Sequence, residues 1–111
     1  MNFAITGKKG FRITFPNGYS LSVQFGPANY GTNYDMRIGE DNEKAGRQGA
    51  DTVETAILHP AGGLMEDPED KSEYADTVQG YQTVEQVMER MMRVYSWPKP
   101  SDNTAAGSEL K

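Results

Sequence analysis

Residue types that could do chemistry gather in three places in this chain: one histidine, one dense acidic run and one aromatic-amide loop. His59, the single histidine, stands just before Pro60. Histidine can act as a general base near neutral pH, but only with a nucleophile or carboxylate held within reach. Serine-nucleophile motifs, the P-loop and the Gly-x-Gly-x-x-Gly fingerprint are missing. The run Glu66-Asp67-Pro68-Glu69-Asp70-Lys71-Ser72-Glu73 has the carboxylates that calcium favours. An EF-hand loop also needs glycine at its sixth position and glutamate at its twelfth. Here the glycine is absent and Pro68 interrupts, so the run reads as a solvated acidic loop open to a basic partner. These residues specify no reaction, and the expectation is a non-enzymatic protein with no cofactor and no metal site.

The third place is Gly26-Pro27-Ala28-Asn29-Tyr30-Gly31-Thr32-Asn33-Tyr34. Asn29, Tyr30, Asn33 and Tyr34 offer stacking faces and amide donors and acceptors, which suit a nucleobase, a nucleotide-type ligand or a protein edge. Arg12 and Gln24, at polar positions of the preceding segment, would join them if that face adjoins the loop. The alternative is a tight loop whose asparagines cap its own backbone.

That preceding segment must be a β-hairpin. Phe11, Ile13 and Phe15 alternate with Arg12 and Thr14, and Tyr19, Leu21, Val23 and Phe25 alternate with Ser20, Ser22 and Gln24. A two-residue Asn17-Gly18 loop would set Phe15 against Ser20. A three-residue Pro16-Asn17-Gly18 loop pairs Phe15 with Tyr19, Ile13 with Leu21 and Phe11 with Val23. Proline presets the first turn position and glycine takes the left-handed one, so the three-residue loop is predicted.

Around the hairpin, Phe3–Thr6 reads as a first short strand and Thr52–His59 as a later one. Pro60–Gly63 reads as a turn, Leu64-Met65 as a returning strand and Thr77–Tyr81 as a further extended piece. One helix is predicted over 84–97, with Thr83 as N-cap and Gln86 completing a capping box. Val84, Val87, Met88, Met91, Met92 and Tyr95 form its expected core stripe. Glu85 suits its first turn, and Arg90 and Arg93 its later turns. The methionines read as core filler or as an adaptable docking surface, with Met92 at the margin. The fold class is α+β: an antiparallel sheet of four to five strands (hairpin 11–25, strand near 52–59) with the C-terminal helix on one face. Residues 1–98 form a single domain, and 35–51 and 99–111 read as a polar loop and a disordered tail.

Charge narrows the partners. The net charge is −5, yet residues 35–76 hold twelve carboxylates against four basic side chains, a net of −8 that leaves +3 elsewhere. Direct nucleic-acid binding is disfavoured, since phosphate neutralisation needs clustered Lys and Arg. There is no cysteine, no signal-like N-terminal run and no stretch of membrane-spanning length, which fits a cytoplasmic protein. The small core makes a homo-oligomer a further expectation.

The string Gly10-Phe11, Ile13-Thr14-Phe15, Asn17-Gly18-Tyr19, Ser22-Val23-Gln24-Phe25-Gly26-Pro27, Asn29-Tyr30, with Gly80-Tyr81-Gln82-Thr83-Val84-Glu85-Gln86-Val87 later, resembles a pattern in small uncharacterised accessory proteins of bacteriophages. The resemblance implies a protein that works by binding: an inhibitor of a host defence or other host process in the host cytoplasm. It would hold a host protein or sequester a nucleotide-type ligand. The alternatives are a virion structural or assembly accessory and a small hydrolase built on His59.

Overall fold

The computed structural model describes residues 2–6, 10–26, 29–32, 50–72 and 76–100. Among the described residues six strands make one antiparallel sheet: β1 (Asn2–Thr6), β2 (Gly10–Thr14), β3 (Ser20–Gln24), β4 (Val53–Leu58), β5 (Leu64–Met65) and β6 (Val78–Gln82). The helix α1 (Val84–Tyr95) follows and covers part of one face. β1 to β4 lie side by side in chain order, and the far edge of β4 is shared. β5 pairs with its Ile57–Leu58 end and β6 with its Val53–Ala56 end. The α+β class is as the sequence predicts. The strand count reaches six because both short extended pieces join that one edge.

The hairpin turn has the predicted register. Phe11 lies opposite Val23 and Ile13 opposite Leu21. The Phe15 N–H donates to the Tyr19 carbonyl at 2.8 Å and the Gly18 N–H to the Phe15 carbonyl at 2.8 Å. Gly18 sits at φ 93°, the left-handed region that glycine enters without steric cost. His59-Pro60-Ala61-Gly62-Gly63 repeats the arrangement: the His59 N–H meets the Gly63 carbonyl at 3.0 Å and the Gly62 N–H the His59 carbonyl at 2.8 Å. The two Pro-x-Gly turns touch, since a Cβ on Gly18 would lie 3.0 Å from the Pro60 Cβ.

Phe15, Leu21, Val23, Ile57 and Val94 form the buried cluster, with Phe11 and Ile13 half-buried beside it. Thr83 closes the predicted capping box with Gln86 in both directions. Two helix expectations need correction. The helix ends at Tyr95 rather than 97: Ser96 takes the C-cap, its N–H and hydroxyl both on the Arg93 carbonyl. Pro98 disfavours helical geometry at Trp97, so the last turn closes early.

The phase of the helix also differs. Val87, Arg90, Met91 and Val94 face the sheet, with Val94 fully buried and Arg90 8% exposed. Val84, Met88, Met92 and Tyr95 are exposed instead. The cause is polar: the Arg90 Nη1 donates to the Thr55 Oγ1 at 3.3 Å, which rolls the predicted stripe sideways.

Asn33, Tyr34 and residues 35–49 of the predicted polar loop lie outside the described residues, as do residues 101–111 of the predicted tail.

Candidate functional site

Alternation on β2 and β3 puts Arg12 and Gln24 on the sheet face away from the helix. Gln24 Nε2 donates to Ser22 Oγ at 3.0 Å and to Thr6 Oγ1 at 2.5 Å. The second bond crosses Gly10, which lies between Thr6 and Gln24 in the ladder. A Cβ there would strike the Val23 carbonyl. Arg12 pairs with Ala4 and Ser22. Its Nε is buried with no hydrogen bond among the described residues.

The next residue along from Gln24 in the same row is Glu54, and it brings the loop to this face. Its Oε1 accepts the Tyr30 N–H at 2.8 Å. The Tyr30 carbonyl accepts the Tyr81 N–H at 2.8 Å, and the Thr32 N–H reaches the Thr52 carbonyl at 3.2 Å. Asn29 Oδ1 accepts the Gly26 N–H at 3.3 Å while its own N–H returns to the Gly26 carbonyl at 3.2 Å. The loop thus spends the Asn29 oxygen on its own backbone, and Tyr30 is left half-exposed. The structure brings Gln24 and Tyr30 together through Glu54 and sets Arg12 on the same face.

His59 is held by its turn. Its Nδ1 accepts the Ala61 N–H at 2.9 Å, and its ring lies edge-on to Tyr19 with centroids 5.5 Å apart.

A second constellation lies where the helix meets the turn after β5. The acidic run, expected to be solvated throughout, buries one member: Asp67 is 4% exposed. Arg93 grips it with both Nη groups, at 2.9 and 2.8 Å, and the Arg90 Nε stands 3.6 Å away. The Glu69 N–H donates to Asp67 Oδ1 at 2.9 Å. Burial pushes the Asp67 carboxyl up, but the Arg93 and Glu69 hydrogen bonds and both guanidinium charges outweigh it and hold it below its ordinary value. Burial lowers the Arg90 guanidinium, while bonds to Asp67 and Glu89 raise that of Arg93. Glu89 Oε2 accepts the Arg93 Nε at 2.9 Å and Glu69 Oε2 the Trp97 Nε1 at 2.6 Å.

Around this knot runs a groove of about 630 Å³, completed by Asp70, Gln79, Gln82, Glu85 and Gln86. Five carboxylates outnumber two guanidiniums, and both guanidiniums are already paired inside the protein. The groove is therefore electronegative and rich in acceptors, which suits an ammonium or guanidinium group. Among the described residues no three His, Asp or Glu side chains are placed to hold a metal ion. Sequence reading missed Asp67, Arg90 and Gln82 as members of one site. The available signal was two arginines three positions apart on a helix in a chain with a strongly acidic run.

No helix among the described residues is long and apolar enough to cross a membrane. Comparisons with protein-family models, with curated proteins and with solved structures gave no match.

Proposed function

We propose that this chain is a non-enzymatic bacteriophage accessory protein that blocks a host defence or other host process by holding a host protein in the cytoplasm. The observation that carries the reading is the electronegative groove on a rigid helix-and-turn frame, with Asp67 fixing the frame and Glu85, Asp70 and Gln82 at its wall. Such a surface accepts lysine and arginine side chains of a partner and speeds encounter with a basic patch. The phage and host parts of the reading rest on the resemblance of the hairpin string.

The test is capture from host lysate with tagged protein, followed by mass spectrometry of bound proteins and extracted small molecules. The expected result is a basic host protein that is retained at low salt, lost at high salt and lost on joint Glu85→Lys and Asp70→Lys substitution. Capture that ignores both salt and charge reversal would refute the groove as the contact.

A second reading has its own observation. The Arg12 guanidinium, whose Nε makes no hydrogen bond among the described residues, and the half-exposed Tyr30 ring share the open sheet face with Gln24, and a guanidinium beside an aromatic ring suits a nucleotide-type ligand. A nucleotide in the extracted fraction that disappears with Arg12→Met would favour it.

A further inference from the structure

The helix covers only half of its sheet face. The Ile5–Phe11 and Phe3–Ile13 pairings of β1 and β2 put four apolar side chains on the helix side of the sheet. Phe3 is 76% and Ile5 84% exposed. The flank of α1 that overlooks this floor carries Val84, Met88, Met92 and Tyr95, all exposed. Between flank and floor lies an apolar groove of about 240 Å³ against Phe11, Val23 and Met91. Floor and flank together form an apolar shelf.

We infer that a second copy of this chain covers the shelf. Two observations select that occupant. The exposed Phe3, Ile5, Val84, Met88, Met92 and Tyr95 present on the order of 700 Å², close to the ~800 Å² per partner of a standard stable interface. None of the six carries a charge, and Asp51 is the one carboxylate bordering the apolar groove among the described residues, so two copies of an acidic chain would meet here chiefly through uncharged side chains. The shelf adjoins the acidic groove at Gln82, and none of the five carboxylates of that groove belongs to the six shelf residues.

The test is molar mass by light scattering and sedimentation at about 1 to 100 µM. The expected mass is twice that of the 12.3 kDa chain. Ile5→Lys and Met92→Lys, each at an exposed position, should give the single-chain mass with an unchanged circular dichroism spectrum. Leu64→Lys, the same change at an exposed residue on another surface, should keep the doubled mass. A wild-type protein of single-chain mass at 100 µM would overturn the inference. So would a doubled mass that survives both shelf substitutions.

Discussion

The side-chain amide of Asn17, in the first hairpin turn, donates to the carbonyl of Val94 at the end of the helix at 2.9 Å. The same Nδ2 reaches the Trp97 carbonyl at 2.9 Å and the Tyr95 carbonyl at 3.4 Å, while Oδ1 accepts the Tyr19 N–H at 3.0 Å. Helix ends leave carbonyls without partners, and here a residue seventy-seven positions away satisfies them. One asparagine therefore shapes the turn and closes the helix.

Asn17→Ala should cost about 1–3 kcal/mol, because the Trp97 carbonyl loses its Asn17 bond and the Val94 carbonyl keeps the Trp97 N–H at 3.1 Å but not the amide. Asn17→Asp should cost more, since it adds a negative charge at the negative end of the helix. Urea titration measures both, and an aspartate variant as stable as the parent would remove Asn17 from the capping role.

Acid should loosen the knot around Asp67. Its folded carboxyl lies below the ordinary value near 4, so its contribution to stability is complete above that value and lost as pH falls through the folded one. Stability from Asp67 should hold steady above about pH 5 and fall below about pH 4. Asp67→Ala should cost ~3 kcal/mol at neutral pH, because the buried Arg90 would lose its carboxylate counter-charge and keep only Thr55, and should flatten the acid limb. Thermal melts of both proteins from pH 3 to 7 decide it, with an unchanged acid limb as the contrary result.

Between Val53 and Thr55 the β4–β6 register shifts, and the bulge this makes in β6, at Gly80 and Tyr81, makes two opposite demands. A Cβ on Gly80 would lie 2.7 Å from the Tyr30 Cβ, so Gly80→Ala should cost about 1–3 kcal/mol, most of it recovered by adding Tyr30→Gly. Next door, Tyr81 holds φ at 54°, and Tyr81→Gly should raise stability by about 0.5–1 kcal/mol. Melting temperatures of the four variants test both claims, and additivity of Gly80→Ala with Tyr30→Gly would deny the contact.

Asn29→Ala and Tyr30→Ala separate the two binding readings. Under the groove reading, both leave capture of a basic partner within about twofold, because neither side chain borders that surface. Under the nucleotide reading, Tyr30→Ala removes a stacking face worth ~1–3 kcal/mol per base, about ten- to a hundredfold in affinity. Calorimetry with any recovered nucleotide distinguishes them.

Local chemistry made most of the fold legible. Pro16, Gly18 and the alternation on either side permit one register, and Thr83 with Gln86 marks where the helix starts. The phase of the helix was not legible. The spacing of Met88, Met92 and Tyr95 is as good a stripe as that of Val87, Met91 and Val94. The choice between them is made by Arg90 meeting Thr55 and Arg93 meeting Asp67, twenty-six positions earlier. Asp67 sits among acids that are mostly exposed, so nothing local distinguishes the buried one. The bulge escaped for the same reason, since Gly80 is required by a loop fifty residues away rather than by its neighbours.

The doubled edge of β4 gives the chain room to change. It leaves that edge at Met65 and rejoins it at Val78, so residues between them can be added or removed without shifting a ladder bond. Asp67, Glu69 and Asp70, near the point of departure, keep the turn anchored to the helix and the groove wall in place. Inserted sequence at this one address would border the groove, so the molecule could acquire a new contact there, by evolution or by grafting, without refolding the sheet.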